Sequence, residues 1–303
     1  MYEGNNKQLN NTLNYKSIKY SIKMKKLLIV LIIIIGFGLI SAKKENEKEF
    51  SVKMIESSLA KVGRNISMKL YASKFETTNF LYNTFLNDLK NTKQFDNYKI
   101  SKIDTANWDS VKGLQKMKSS YHNNPSFSDF PVVNISFEAA NLFCKWLTDK
   151  YNTDKNRKYK KVIFRLPTMK EWEKAAEGGL KNSFYPWGGP DLQNRQGCLM
   201  CNYYNLGSSN IHYNETKKEY EVIVDENVPF KQAFLCKVDD YVANDYGLYN
   251  MSGNVKEMIS QKGISKGGGF LSTGYDVRIK SKNTYDKSMV DLGFRYFMEI
   301  LEE

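Results

Sequence analysis

The chain has 303 residues, 41 % apolar and 14 % aromatic, which is enough for a sizeable core and excludes disorder throughout. Six prolines and 19 glycines exclude a collagen-like or low-complexity fibre. The net charge is +12, but residues 1–42 hold six lysines against one acid, so the remainder carries +7; this modest excess suits acidic partners, and without an Arg/Lys stripe interleaved with aromatics nucleic acid is not an expected partner.

In chain order, Met24, Lys25 and Lys26 precede an apolar run over 27–42, and the pattern reads as a secretory signal with cleavage expected after Ala42. The run of about 16 residues is short for a bilayer span. An uncleaved anchor over 27–42 is the alternative, and it is the only membrane contact expected. Residues 1–23 read as an upstream extension, with Met24 as a second possible start. No Cys follows the apolar run, so no lipoprotein anchor is encoded there. The expected division is therefore 1–42 as extension and signal or anchor, 43–64 as a polar Lys/Glu-rich tether, and 65–303 as one domain. The expected location is the periplasm or the cell exterior, where disulfides can form.

Within the domain, Thr77 or Thr78 caps a helix whose apolar face is Leu81, Phe85 and Leu89. Residues 90–124 are polar and rich in Tyr, Asn and Lys, and little regular structure is expected there. Ser136 caps a second helix with Glu138 in its first turn and a face of Ala139, Ala140, Phe143, Trp146, Leu147 and Tyr151. Thr168 and Glu171 fit a capping box for a third, which carries Trp172, Ala175 and Ala176 and ends at Gly178 and Gly179. Strands are expected at 68–75, 161–165, 267–271, 276–280 and 293–299. The fold class is α+β, with few helices, small sheets and long loops.

Several segments together carry a resemblance. They are KFETTN (74–79), FPVVNISFEAANLFCKWL (130–147), FRLPTMKEWEKAAEGG (164–179), YPWG (185–188), DYGLYNMSGNVKE (245–257), KGG (266–268) and LGFR (292–295). In this order they resemble the formylglycine-generating-enzyme or sulfatase-modifying-factor domain over most of 66–300. The resemblance implies a C-type-lectin-like α+β fold, low in regular structure, with bound structural calcium. That family includes copper-using oxidases of a sulfatase cysteine, sulfoxide synthases, and non-catalytic relatives such as the gliding-motility lipoproteins K and J. The Tyr/Asn/Lys richness and the exported start resemble the last group most.

The oxidase needs two cysteines five residues apart, whose soft thiolates hold Cu(I). Residues 265–283 contain no cysteine, and the two positions fall near Ser272 and Val277. The tryptophans of the family's "WEW" are Lys256 and Met258 here. Copper and formylglycine formation are accordingly not expected, and no catalytic residue is assigned. A sulfoxide synthase would need an iron-binding histidine cluster, whereas His122 and His212 stand far apart and read as surface or locally bonded residues. Cys198 and Cys201 form a C-x-x-C, open to a zinc use; a redox use would need a helix start in a βαβ context, which is not indicated. The plainer expectation is a buried Cys144 and one disulfide among Cys198, Cys201 and Cys236.

For calcium, the resemblance implies a first site in which Asn250 and Glu257 give side chains while Gly253 and Val255 give carbonyls, a mix of hard oxygens suited to the ion. A second would use Asn202 and the Tyr203 carbonyl, with Asp225 as its acid. The plain alternative has Glu257 capping a turn and Asn250 holding left-handed backbone. Two functional readings follow. One is an exported binding or scaffold protein at the cell envelope with a protein or glycan partner, related to gliding motility or type IX secretion, whose surface would include Tyr203, Tyr204, Tyr213 and Trp108 unless these pack inside. The other is an enzyme of the same fold with altered chemistry, using Ser272, Asp276, Arg278 and Lys280. A deep cleft lined by those four residues would favour the enzyme.

Overall fold

The computed structural model describes residues 50–63, 69–205, 211–222 and 234–303. The expected signal, Asp225 and part of the 43–64 tether lie outside them. Among the described residues no helix is long and apolar enough to cross a membrane.

One of two compact units runs from Phe50 to Glu303, so the expected tether gives way to folded chain at residue 50. Ser51 caps helix α1 (Val52–Ser57) by accepting the Met54 N–H, and Val52 and Ile55 are buried one turn apart. Strand β1 (Leu59–Lys61) then pairs with β2 (Leu70–Ser73). The lysines and glutamates around this amphipathic turn hide its two core residues from a compositional reading.

Helix α2 (Asn79–Asn91) starts at Thr78, whose Oγ1 accepts the Leu81 N–H, and buries Leu81, Phe85 and Leu89 as their spacing predicts. The region 90–124 is more regular than expected. It holds α3 (Phe95–Ser101), a 3₁₀ turn at Thr105–Ser110 and α4 (Met117–Ser120). Trp108 and Tyr121, both fully buried, anchor these short pieces by packing their rings in a tilted arrangement, centroids 5.1 Å apart. Tertiary packing thus supplies the order that local propensity lacks.

Helix α5 (Phe137–Thr153) is capped by Ser136, and α6 (Met169–Glu177) carries the Thr168/Glu171 capping box and ends at Gly178 in left-handed backbone. Between them lies β3 (Lys161–Arg165). A hairpin of β4 (Ile211–Asn214) and β5 (Glu219–Val222) follows. The remaining strands are β6 (Lys256–Met258), β7 (Ile264–Lys266), β8 (Asn283–Thr284), β9 (Leu292–Phe294) and β10 (Phe297–Glu302).

Three of the expected strands are corrected. Residues 267–271 form no strand, because Gly267 and Gly268 turn the chain with φ of +83° and +64° immediately after β7. Residues 276–280 are successive turns, closed by Asp276 N–H to Thr273 O and Arg278 N–H to Tyr275 O. The single strand expected at 293–299 is two strands in different sheets.

That last correction defines the architecture. One antiparallel sheet has the order β1-β2-β10-β3, and the other runs β8-β7-β6-β9 with β6 and β9 parallel. Arg295 and Tyr296 carry the chain from one sheet to the other. Met298 and Ile300 of β10 join the cluster of α2 and α5, whereas Phe297 joins Trp172, Ala175 and Ala176 of α6. Alternate side chains of one strand thereby cement both sides of the sheet. The mixed α+β class is as read from the sequence.

Candidate metal centre

The segment 250–257 is wound by three residues in left-handed backbone, Asn250, Gly253 and Asn254, with φ of 52°, 79° and 63°. Gly253 sits hard against Asn202. A Cβ there would overlap the Asn202 carbonyl oxygen, the same oxygen that accepts the Asn254 N–H at 2.7 Å. Replacing Gly253 with alanine is expected to cost about 3 kcal/mol, from the positive φ and from forcing 202 and 253 apart. A thermal melt checks this, and an unchanged midpoint would contradict the close approach.

Around this turn lies a buried polar cluster. Glu76, 1 % exposed, accepts Asn250 Nδ2 at 2.9 Å and Asn254 Nδ2 at 3.1 Å. The Asn254 Oδ1 in turn accepts the Cys236 N–H and the Asn202 Nδ2, and that Nδ2 also reaches the Phe234 carbonyl. Glu257, likewise 1 % exposed, takes Arg295 at 2.8 Å and the Trp172 indole N–H at 2.7 Å. The Arg295 guanidinium, itself fully buried, also donates to the Ser73 and Tyr249 carbonyls.

Ionised together, the acids of this cluster outnumber its cation. Two buried carboxylates face one buried guanidinium. Burial raises the Glu76 carboxyl to about 8 and the Glu257 charge adds to the rise, while Arg295 and the two asparagine amides oppose it. Asn250 Oδ1 is buried and has no hydrogen-bond partner. An orphaned amide oxygen beside a second buried carboxyl that has no cation of its own is the environment a hard cation satisfies. The first expected calcium site therefore fits the residues around it, although Glu257 already shares its oxygens with Arg295 and Trp172. The plain alternative is visible as well, since Asn250 does hold left-handed backbone.

The second expected site is less developed. Asn202 spends its amide N–H groups on Phe234 and Asn254, and Tyr203 is 8 % exposed and packs on Tyr185 and Val277. Its expected acid, Asp225, lies outside the described residues. Among the described residues no group of three or more His, Cys, Asp or Glu could hold a metal, so any centre here draws on amide and carbonyl oxygens.

The positions of the missing thiol pair are filled. Val277 is fully buried among Tyr185, Cys201 and Tyr203. Ser272 is 5 % exposed, and its Oγ accepts the Gly269 N–H while its carbonyl accepts the Tyr204 N–H. Asp276 closes on Thr273, and Lys280 is ion-paired with Glu173 and Glu177. The nearby depression of about 530 Å³ is lined by residues such as Asp191, Leu192, Arg195 and Tyr203, and by none of these four. The residues grouped for an altered enzyme therefore do not line that depression.

Other expectations are corrected. All four cysteines are free thiols, so the disulfide expected among Cys198, Cys201 and Cys236 is not formed; Cys198 is exposed, whereas Cys201 turns into the Tyr185 cluster and burial lifts its thiol to about 12. Trp108 and Tyr203 are core residues rather than surface aromatics, while Tyr213 is 46 % exposed. His122 is buried, bonded through Nδ1 to Asn79, and lowered to about 3 by desolvation. His212 falls in β4. Glu76, Asn254, Trp172 and Arg295 belong to the cluster but were not singled out for it. Each lies inside a motif quoted above, and only the contacts reveal the shared site.

Residues 33–300 match the Sulfatase-modifying factor enzyme 1-like domain, and the chain belongs to that family. It is 28 % identical to the formylglycine-generating enzyme of Bos taurus, over 55 % of this chain and 43 % of the bovine protein. It is equally 28 % identical to the Inactive C-alpha-formylglycine-generating enzyme 2 of Bos taurus, over 55 % of this chain and 50 % of that one. The formylglycine-generating enzyme of Thermomonospora curvata is 29 % identical over 54 % of each chain. The chain thus spans about half the length of these curated relatives. Among solved structures, PvdO from Pseudomonas aeruginosa covers 76 % of this chain and 80 % of its own, at 16 % identity and a TM-score of 0.48.

Proposed function

We propose that this protein is a non-catalytic member of the family, exported to the cell envelope, that binds or scaffolds a protein or glycan partner on a calcium-stabilised frame. The observation that carries the reading is Val277. Where the family resemblance places the second Cu(I)-binding thiolate, this chain has a fully buried aliphatic side chain packed on two tyrosines. A valine offers no soft donor, and the Ser272 hydroxyl five residues earlier is committed to the Gly269 N–H. A relative of the same identity is named inactive, which agrees with a family frame kept without its chemistry. Gliding motility or type IX secretion is the setting we favour, from the resemblance alone.

In this reading calcium is held by the Asn250 and Glu257 side chains with the Gly253 and Val255 carbonyls, and its role is charge balance for buried carboxylates. The test is incubation of the full chain with a sulfatase cysteine peptide, copper and oxygen, followed by mass spectrometry. The peptide is expected to keep its thiol. Conversion to the aldehyde would overturn the reading.

A further inference from the structure

We infer that Arg278 is a recognition point for a carboxylate of an acidic peptide. Its guanidinium carbon lies 4.8 Å from the Tyr275 ring centroid and 5.3 Å from that of Phe184. Both rings are large and open to water, 66 % and 56 % exposed. Exposed aromatics gathered about one arginine are the composition of a binding hot spot rather than of ordinary surface.

The guanidinium also lacks the anion that several other cations of the fold have found. Arg165 is paired with Glu171 and Glu299, Arg295 with Glu257, and Lys280 with Glu173 and Glu177. The Arg278 guanidinium makes no hydrogen bond or ion pair with any described residue, and its Nε is buried without an acceptor. Charge left half-desolvated and unpaired is unfavourable until an acceptor arrives.

The arrangement is held in place beforehand. Ser281 Oγ donates to the Tyr275 carbonyl at 2.6 Å, the Ser281 N–H to the Arg278 carbonyl at 3.1 Å, and the Ile279 N–H to the Phe184 carbonyl at 2.9 Å. These bonds tie the backbones of all three residues together, so little ordering remains for binding to cost.

The chemistry of the surroundings selects the ligand. A guanidinium fork matches a carboxylate in two parallel hydrogen bonds, and the flanking rings offer contact to apolar side chains beside it. Asp276 on the same turn, and Glu173 and Glu177 about Lys280, keep the local field mixed. Such a field repels a polyphosphate chain and tolerates one carboxylate. The inference rests on the reading of the protein as a binder and narrows its partner to an acidic peptide.

The test is calorimetric titration of the full chain with acetyl-Gly-Phe-Glu-Phe-Gly-amide and with its Gln counterpart. The Glu peptide is expected to bind at least fivefold tighter. Arg278→Met is expected to erase that difference with an unchanged thermal melt, and Arg278→Lys to keep part of it. If Arg278→Met fails to fold, Tyr275→Ala serves instead, and should weaken both peptides while keeping the preference for Glu. Equal binding of the two peptides, or binding of neither, would overturn the inference. So would tighter binding of inorganic phosphate or of an oligothymidine octamer than of the Glu peptide. A failed titration leaves the non-catalytic reading standing, because that reading is decided separately by the peptide oxidation assay.

Discussion

Arg295→Leu is expected to lower the thermal midpoint by about 10 °C. The guanidinium is fully buried and donates to Glu257, Ser73 and Tyr249. Removing it leaves the Glu257 carboxylate in the core beside Glu76 with no cation to balance it. Breaking a buried pair by deleting one partner costs about 3–5 kcal/mol. In a domain of this size 1 kcal/mol moves the midpoint by about 2–4 °C. The loss should shrink when Glu257→Gln is added, since the second change removes the stranded charge. Circular dichroism melts of the parent and the two variants check this. A midpoint within 2 °C of the parent for Arg295→Leu would refute the charge assignment.

The second large effect is a pH dependence that calcium removes. The Glu76 carboxyl titrates near 8 in the folded protein against an ordinary 4.5. A raised folded value means that folding binds a proton, so the stabilisation is complete below pH 4.5 and is lost as the pH rises through 8. With chelator present, stability should fall by about 1–2 kcal/mol between pH 7 and pH 9. His122 acts in the opposite sense. Its value is lowered to about 3, so its contribution is lost as the pH falls below 6.5, and a window starting at pH 7 avoids it. Calcium should raise the midpoint more at pH 9 than at pH 7, because the ion compensates charge that the proton otherwise neutralises. The measurement is a set of melts with calcium or chelator at the two pH values. A midpoint that rises with pH in chelator, or that ignores calcium at pH 9, would sink the proposal of a calcium-balanced cluster.

These two experiments bear on one feature, a buried cluster with more carboxylate than cation. Its members lie far apart in the chain. Glu76 precedes α2, Trp172 is on α6, Asn250 to Glu257 lead into β6, and Arg295 bridges β9 and β10. The crossing of the chain between sheets at Arg295 is what places the guanidinium over Glu257. A single strand over 293–299, as the sequence pattern suggested, would have left that arginine within one sheet.

Local chemistry was the legible part. Thr78, Ser136 and Thr168 each cap the helix expected of them, because a side chain bonding a backbone N–H three residues on is a short-range event. The strand at Lys161–Arg165 and the buried faces of α2, α5 and α6 were equally legible from spacing. The motif order identified the family, and the missing thiols at Ser272 and Val277 were plain in the letters alone. Long-range packing decided the rest. It drew Val52 and Ile55 of the supposed tether into the core, ordered 90–124 around Trp108 and Tyr121, and kept Cys198, Cys201 and Cys236 as separate thiols. It also made Glu76 part of the candidate metal centre and left Arg278 without an acceptor between two open rings. Periodicity reports which residues want to leave water; only the assembled fold determines which charges are left together once they have.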